Sequence, residues 1–452
     1  YDNYYNELGG DFNDVERIAT NGKYTLLADP GQVISHTGTG TTGTNTPIAG
    51  AGWTWLIRNI DGQLMKSWNG MLNGDTVNIN TLDTETYNIL GTNYYSKFHT
   101  CKWGSNVSMT AKYMFIGVQY RPTGGSNTQN NHTDRRAYIS VYSLSTFQHV
   151  HTFALEDFYS QVGVPTGASG TAGGGTGWSE SLWYSDDENL FVGAYAAADG
   201  TGTEEGCVTW WDISDTDPAN WSTNPDAIIR NPFDIPTNPV TNVGGTNYSN
   251  RTFGQKVNFK DNTLIVGHTI WLHRYTKSGS SFTKNSSLSL TNQSSNNISP
   301  GNGFMSTDNT NVISAQTSPS YSLTARNYNN TFSLSWSKAD TYGGYPSIVR
   351  QLIVGKDEKV ELAAWANSYA KNKAGVISFI KTSDQTSILE LDNPFLRDSD
   401  GLYFGQGLDI APIDSAGSNR YSLVSWGEPD DVNTKDIISF WELIWDSDNA
   451  IL

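Results

Sequence analysis

The stretch that decides the fold begins with Phe253-Gly254, continues with the apolar segment Leu264-Ile265-Val266-Gly267, and ends with Trp271-Leu272-His273-Arg274-Tyr275. An aromatic residue beside glycine is thus followed by two apolar strands. The same order recurs after Trp103-Gly104 and after Gly177-Trp178. A sequence motif of this length that recurs along the chain predicts an array of similar structural units.

Each unit is centred on an apolar strand that a turn signal usually precedes. Asn21-Gly22 and Asp261-Asn262 are two such signals, and both are typical of hairpins. A third strand with alternating aromatics follows, as in residues 53–57, and then a weaker fourth strand, as in residues 149–153. The chain contains seven central strands, at residues 24–29, 113–118, 190–195, 263–268, 311–316, 360–365 and 421–426.

Four antiparallel strands repeated in seven units predict an all-β fold, a seven-bladed β-propeller of four-stranded antiparallel blades. We expect residues 1–452 to form this single propeller, and residues 1–10 to close the ring or to reach a neighbouring subunit. The predicted blades span about 11–68, 98–156, 177–230, 251–292, 302–340, 345–392 and 402–452.

Several segments carry a resemblance to a known repeat. They include Phe253-Gly254 with Ile265-Val266-Gly267, Phe404-Gly405 with the segment from Leu423 to Gly427, and Leu190-Phe191-Val192-Gly193. These units resemble FG-GAP repeats, the integrin-α-like blades of many extracellular and phage structural proteins. The resemblance implies a propeller that binds partners through its loops.

The repeated aromatic residues are interpreted as packing residues. Blades of a propeller meet face to face near a narrow axis, so an aromatic ring can fill the wedge between two sheets while the neighbouring glycine lets the backbones approach. The predicted wedge residues are Trp103, Gly104, Trp178, Phe253, Gly254, Phe404 and Gly405.

Composition excludes some functions and favours others. The 452 residues carry 28 Lys and Arg against 45 Asp and Glu, a net charge of −17. Such a charge opposes binding to nucleic acid, which requires cations on the phosphates. No apolar run approaches the length of about 20 residues that a membrane helix needs, so we expect no membrane insertion.

Long polar insertions fall in particular connections of the repeat. Residues 31–50 and 119–135 connect second to third strands, and residues 69–99, 160–177 and 234–250 connect blades. In a meander, all five emerge at one face, while at the opposite face every turn from a first to a second strand is tight apart from residues 413–419. We therefore expect partner contacts at the face with the insertions, although insertions without function fit the sequence equally well.

The titratable residues show no combination with the order or spacing of a known catalytic site. His149 and His151 share one face of an outer strand and are expected to form a solvent-facing pair. Asp398 and Asp400 are the nearest match to the calcium loops of integrin-type blades, but their segment is short and lies between blades, so a turn is expected there. Residues 11–14 are a weaker match. Cys101 and Cys207 fall in different blades and are expected to be unpaired, buried thiols.

The sequence therefore predicts a non-enzymatic extracellular or virion-surface propeller without a cofactor. It would contact protein subunits or surface glycans, as a component of a tail, fibre or filament, and could form a homo-oligomer. The alternative is an enzyme acting on polysaccharide, with carboxylates in the central funnel of the propeller.

Overall fold

The computed structural model describes an all-β protein. Within the described residues, the strands form seven four-stranded sheets and one two-stranded sheet. The predicted all-β class and the four-stranded antiparallel sheets are confirmed. The described residues are 17–30, 34–36, 46–48, 52–69, 103–118, 137–162, 178, 183–194, 206–232, 253–254, 256–268, 271–289, 305–307, 311–316, 322–327, 334–339, 346–354, 360–367, 375–381, 387–393, 407–413, 420–427, 437–446 and 449–451.

The first three sheets are antiparallel meanders, in which consecutive strands are neighbours. Sheet 1 contains β1 (Arg17–Thr20), β2 (Tyr24–Asp29), β5 (Trp53–Arg58) and β6 (Gln63–Asn69), and the hairpin of β3 (Ile34–His36) and β4 (Thr46–Ile48) is inserted between β2 and β5. Sheet 2 contains β7 (Trp103–Met109), β8 (Tyr113–Val118), β9 (Tyr138–Ser143) and β10 (His149–Ala154). Sheet 3 contains β11 (Tyr184–Ser185), β12 (Asn189–Ala194), β13 (Cys207–Asp212) and β14 (Ala227–Arg230).

The other four sheets have the same order of strands. Sheet 4 contains β15 (Lys256–Lys260), β16 (Thr263–His268), β17 (Trp271–Ser278) and β18 (Ser281–Ser289). Sheet 5 contains β19 (Met305–Thr307), β20 (Asn311–Gln316), β21 (Ser322–Asn327) and β22 (Leu334–Ala339). Sheet 6 contains β23 (Pro346–Val354), β24 (Val360–Asn367), β25 (Val376–Lys381) and β26 (Ser387–Asp392). Sheet 7 contains β27 (Gly407–Pro412), β28 (Arg420–Gly427), β29 (Ile437–Asp446) and β30 (Asn449–Ile451).

The central strands lie where the repeat predicted them. β2, β8, β16 and β20 have the predicted bounds, and the other three differ at their ends by one or two residues. The turn signal Asp261-Asn262 is also confirmed, because both residues have positive φ, 47° and 60°, and join β15 to β16. Positive φ at both central residues is the geometry that matches a two-residue turn to the twist of a hairpin.

Two elements were not predicted. The polar insertion at residues 31–50 contains the β3–β4 hairpin, and β10 leads directly into helix α1 (Leu155–Val162). Leu155, Phe158 and Val162 are all buried, with the spacing of one helical face. The guanidinium of Arg230 donates to the carbonyls of Gln161 and Val162, which satisfies carbonyls at the end of the helix.

The chain divides into two compact units. One contains Tyr1–Ala19, Leu26–Arg58 and Gln63–Arg230, and the other contains Thr20–Thr25, Asn59–Gly62 and Asn231–Leu452. Sheets 2 and 3 thus belong to the first unit and sheets 4 to 7 to the second. Sheet 1 is shared, because its tight turns cluster with the second unit.

Sheets 1 and 2 approach closely in the first unit. The indole Nε1 of Trp103 donates to Thr54 Oγ1 at 3.0 Å, and the Trp103 side chain is fully buried. A Cβ atom on Gly104 would lie 2.7 Å from Ala28 Cβ, and one on Gly52 would lie 2.1 Å from the Trp103 carbonyl oxygen. Both glycines have φ of +81°, so neither the space nor the backbone conformation suits a larger residue.

Sheets 2 and 3 share one hydrophobic core with α1. The Phe153 ring lies 5.1 Å from Trp211, and the Phe158 ring lies 5.4 Å from Trp178 and 5.3 Å from Trp211, measured between centroids. These tilted and edge-to-face contacts are the favoured geometries of aromatic pairs. The helix therefore fills space between the outer part of sheet 2 and the face of sheet 3.

Consecutive sheets also contact one another in the second unit. The first strands of neighbouring sheets lie side by side, since β15 contacts β19, β19 contacts β23, and β23 contacts β27. Sheets 6 and 7 share a core that includes Phe379, Leu391, Leu423 and Leu443. Each of these sheets therefore meets the next along its first strand.

The close approach of sheets 1 and 2 predicts the effect of Gly104→Ala. The added methyl group would overlap Ala28 and require a left-handed alanine, so we expect a loss of about 2–4 kcal/mol in the free energy of unfolding. Gly279→Ala is the matched control, because Gly279 has φ of +60° and an added Cβ would meet nothing within 4 Å, so it should lose only about 1 kcal/mol. Urea unfolding measures both, and equal losses would contradict the packing described here.

Candidate functional site

The predicted wedge residues occupy different environments. Trp103 bonds to sheet 1, as described above, whereas Trp178, which precedes sheet 3 in the chain, donates from Nε1 to Thr209 Oγ1 of sheet 3 at 3.1 Å. The Phe253 ring lies 5.4 Å from the His273 ring of its own sheet. The described residues Trp103, Gly104, Trp178, Phe253 and Gly254 are all buried, and Phe404 and Gly405 lie outside the described residues. The repeated aromatic–glycine motif thus places an aromatic residue in the interior, but the motif does not determine which sheet that aromatic residue contacts.

No metal centre is found in the described part of the chain. Asp398 and Asp400 lie outside it, as do residues 11–14. Among the described residues, no group of three or more His, Cys, Asp and Glu side chains could hold a metal ion. The turn expected at residues 398–401 stays a prediction.

The expected solvent-facing histidine pair is wrong. A β-bulge between His149 and His151 changes the register of β10 against β9, and both side chains are partly buried. The His151 ring packs edge-on to Phe153 at 4.5 Å and to Trp221 at 5.5 Å. His149 Nε2 lies 2.8 Å from Thr152 Oγ1. Burial lowers the pKa of both imidazoles, and that of His151 falls to about 4.

Trp221 makes this contact because it anchors a long loop. The connection from Ile213 to Asp226 joins β13 to β14, and we call it the acidic loop. It contains a short 3-10 helix, Pro218–Asn220, directly before Trp221. The Trp221 side chain is buried, its ring stacks on Phe153 at 6.1 Å, and its Nε1 donates to the Asp215 carbonyl at 2.9 Å. The anchor fastens the acidic loop of sheet 3 onto sheet 2.

The carboxylate of Asp212, at the end of β13, and those of Asp215 and Asp217 in the acidic loop hold the backbone of the loop in turns. Asp212 Oδ1 accepts from the Ser214 amide, Asp215 Oδ1 from the Asp217 amide, and Asp217 Oδ1 from the Ala219 amide, at 2.9–3.0 Å. Each bond spans two residues, which is the pattern of an Asx turn. These exposed acids therefore shape the loop, and they also give this edge a negative charge.

The negative charge of this edge affects the pKa of Tyr113, which lies beside the acidic loop. Its hydroxyl donates to the Thr216 carbonyl at 3.3 Å, and its ring meets Trp221 edge-on at 5.0 Å. Burial raises the pKa of Tyr113, and the negative charges of Asp187, Asp217 and Asp215 raise it further. The edge of sheets 2 and 3 thus combines a buried aromatic floor with an acidic rim.

This rim lies at the end of the sheets opposite to the one where the insertions were predicted to emerge. It joins a third strand to a fourth, at the same end of sheet 3 as the β11–β12 turn. The five insertions predicted to make contacts lie mostly outside the described residues, apart from β3, β4 and a few residues at strand and helix ends. Their role stays a prediction.

The described thiol behaves as expected. Cys207 is free and fully buried in β13, and burial raises its pKa to about 12. Cys101 lies outside the described residues. Within the part of the chain that the structure describes, no helix has the length and apolar character needed to cross a membrane.

Comparisons with known proteins leave the family open. No protein-family model matches the chain, and no curated protein matches it. Among solved structures, one match is Hsv2 from Kluyvelomyces marxianus, with a TM-score of 0.37 and 8% identity over 73% of this chain and 76% of that one. A similarity this low does not define a shared fold.

Some of the site could have been found in the sequence. The run from Asp212 to Ser222 is dense in Asp, Ser and Pro, a composition typical of a structured loop. Nothing in the sequence, however, links Trp221 to His151, because the two residues lie far apart along the chain and in different sheets.

The burial of Cys207 predicts its reactivity. In a Cys101→Ser background, we expect a thiol reagent to label Cys207 in denaturant and to label it at least about 100-fold more slowly in the folded protein, because a buried, protonated thiol is a poor nucleophile. Equal labelling rates in both states would contradict the burial of this residue.

The same burial predicts a pH dependence of the free energy of unfolding. The folded thiol stays protonated, whereas the unfolded thiol, with a pKa near 9.0, ionises, so the free energy of unfolding should fall as the pH rises from about 9 towards 12.

Proposed function

We propose that the seven sheets are the blades of a closed β-propeller of the FG-GAP, integrin-α-like type. Contacts between successive sheets support this arrangement, because β7 contacts β11 in the first unit and the first strands of sheets 4 to 7 contact one another in order in the second. First strands that meet in succession are expected to surround a common axis, as in a propeller.

A group of hydrogen bonds in the second unit supports closure of the ring. The Thr20 amide of β1 donates to Asp409 Oδ2 of β27 at 2.8 Å. Asn59 Nδ2 lies within hydrogen-bond distance of Ser422 Oγ of β28 at 2.9 Å, the Gly22 carbonyl oxygen at 3.0 Å and Thr20 Oγ1 at 3.1 Å, and its two hydrogens are shared among these three acceptors. The first sheet therefore bonds to the last through its turns.

We propose that this propeller is a non-enzymatic component of an extracellular or virion surface, which contacts protein subunits or glycans through its loops. One observation carries the proposal. The strand order makes residues 31–51, 119–136 and 195–205 join second to third strands in sheets 1 to 3, at the same end of each sheet as the links between sheets. Long polar connections gathered at one end of a rigid scaffold are the usual place of a binding surface.

The hydrogen bonds of Asn59 generate a test of closure. Asn59→Ala removes several buried or half-buried hydrogen bonds at once, so we expect a loss of about 2–3 kcal/mol in the free energy of unfolding. The exposed Asn285, which accepts one bond from Thr276, is the control, and Asn285→Ala should cost less than about 0.5 kcal/mol.

A double-mutant cycle of Asn59→Ala with Ser422→Ala isolates the contact between the first and last sheets. We expect a coupling of about 1 kcal/mol, since the two side chains share a hydrogen bond. Additive effects of the two substitutions would contradict closure through this contact.

The proposed contacts are tested with a loop-shortened variant. Residues 120–135 are replaced by a four-residue turn, and binding to an array of surface polysaccharides is compared with that of the intact chain. We expect a loss of at least about tenfold in affinity if this loop contributes a contact worth about 1.4 kcal/mol.

The control variant carries Ser145→Ala and Thr146→Ala in the exposed β9–β10 turn, at the opposite end of the same sheet, and should bind normally. Binding that survives shortening of every insertion would contradict the proposed face. Release of polysaccharide fragments would replace the proposal with the enzymatic alternative.

A further inference from the structure

The contact between His151 and Trp221 includes a side chain that can take up a proton, and the proposed function makes no use of it. Trp221 is the buried anchor of the acidic loop, and its ring is surrounded by Tyr113 at 5.0 Å, His151 at 5.5 Å and Phe153 at 6.1 Å. Three of these four rings cannot change charge near neutral pH. His151 is the one ring in this cluster that can take up a proton under mildly acidic conditions.

The surroundings of His151 suit its neutral form. Its Nε2 atom is buried and has no hydrogen-bond partner among the described residues. The ring also packs against the Phe153 ring at 4.5 Å. A proton on Nε2 would place an unsatisfied charged donor in an apolar contact, which is costly. A hydrogen bond to the Pro218 backbone, on the acidic loop, offsets part of this cost but does not outweigh burial.

Other charged groups lie on the elements packed around this ring. His149 is on the same strand, and its charge opposes a second charge on His151. Tyr113 lies on β8, and Asp187, Asp215 and Asp217 impose their negative charge on it. Asp215 and Asp217 belong to the exposed acidic loop, so their attraction for an imidazolium favours the docked state, whereas burial, the largest effect on the pKa of His151, disfavours the imidazolium there.

We propose that His151 is an acid-sensitive latch, and that the acidic loop separates from sheet 2 when this imidazole takes up a proton. The two states differ in the ring contacts of Trp221 and in the hydrogen bonds that join the acidic loop to sheet 2, which are those of the Tyr113 hydroxyl with the Thr216 carbonyl and of His151 with the Pro218 backbone. In the docked state Trp221 covers the neutral ring, and in the released state the imidazolium is hydrated and the acidic loop is free to move. Release would uncover the apolar floor formed by Tyr113 and Phe153.

The direction of the pH dependence follows from the change in pKa. In the docked state the pKa of His151 is lowered to about 4, whereas a hydrated imidazole has its ordinary value of 6.5. Docking is therefore fully favoured above pH 6.5 and loses free energy as the pH falls through the interval from 6.5 to 4. Because the ring is partly exposed, we expect a change of about tenfold in the docking equilibrium between pH 7 and pH 5.

Hydrogen–deuterium exchange measured by mass spectrometry on the intact chain tests the latch. After correction for the intrinsic effect of pH on exchange, protection of peptides within residues 213–226 should fall about tenfold between pH 7 and pH 5 and recover on return to pH 7. Peptides from β12, at the centre of sheet 3, should keep their protection and report an intact fold.

His151→Phe is the decisive variant. Phenylalanine keeps the aromatic contacts and cannot be protonated, so protection of the acidic loop should stay constant from pH 7 to pH 5. His149→Gln is the matched control, and it should keep the acid response because His149 contacts Thr152 and Tyr142 rather than Trp221.

Two outcomes would overturn the latch. One is an unchanged acid response in His151→Phe, and the other is constant protection of the acidic loop in the wild-type chain down to pH 4.5. If His151→Phe does not fold at pH 7, the NMR titration of the His151 ring in the wild-type chain decides, because a pKa at or above 6.5 would contradict the proposal. None of these outcomes depends on the partner of the protein.

Discussion

The packing of one sheet face on the next is the constraint on which the rest of the structure depends. In β8 and β12, the central strands of sheets 2 and 3, every residue is buried. Since successive side chains of a strand point to opposite faces, burial of all of them requires cover on both faces of the sheet. A closed succession of sheets would meet this requirement without leaving an uncovered face, and this is the physical reason for the ring that we propose.

Polar groups within these contacts fix how the sheets align. The Trp103 indole finds Thr54 at a buried position, and Asn59 satisfies the hydroxyls of Thr25 and Ser422. An unsatisfied polar group in such a place would cost free energy, so a shifted alignment would be penalised. Apolar area holds the sheets together, and these few hydrogen bonds select one arrangement.

The sequence predicts the strands well because their signals are local. Central strands such as Thr263–His268 are short apolar runs bounded by turn residues, and Asp261-Asn262 suits the turn that it forms. Helix α1 escapes prediction although Leu155, Phe158 and Val162 have helical spacing, because the segment is short and follows a strand directly. The prediction for the histidine pair fails for a different reason: its burial depends on a β-bulge and on Trp221, neither of which is visible in neighbouring residues. Sites that depend on distant residues are beyond the reach of local patterns.

A crystal structure of the chain is the most direct measurement of the central claim. The account predicts seven four-stranded sheets around one axis, with the first strands innermost and the Thr20 amide bonded to Asp409 across the junction of the first and last sheets. An open array in which the first and last sheets do not meet, or a ring with another number of sheets, would contradict it.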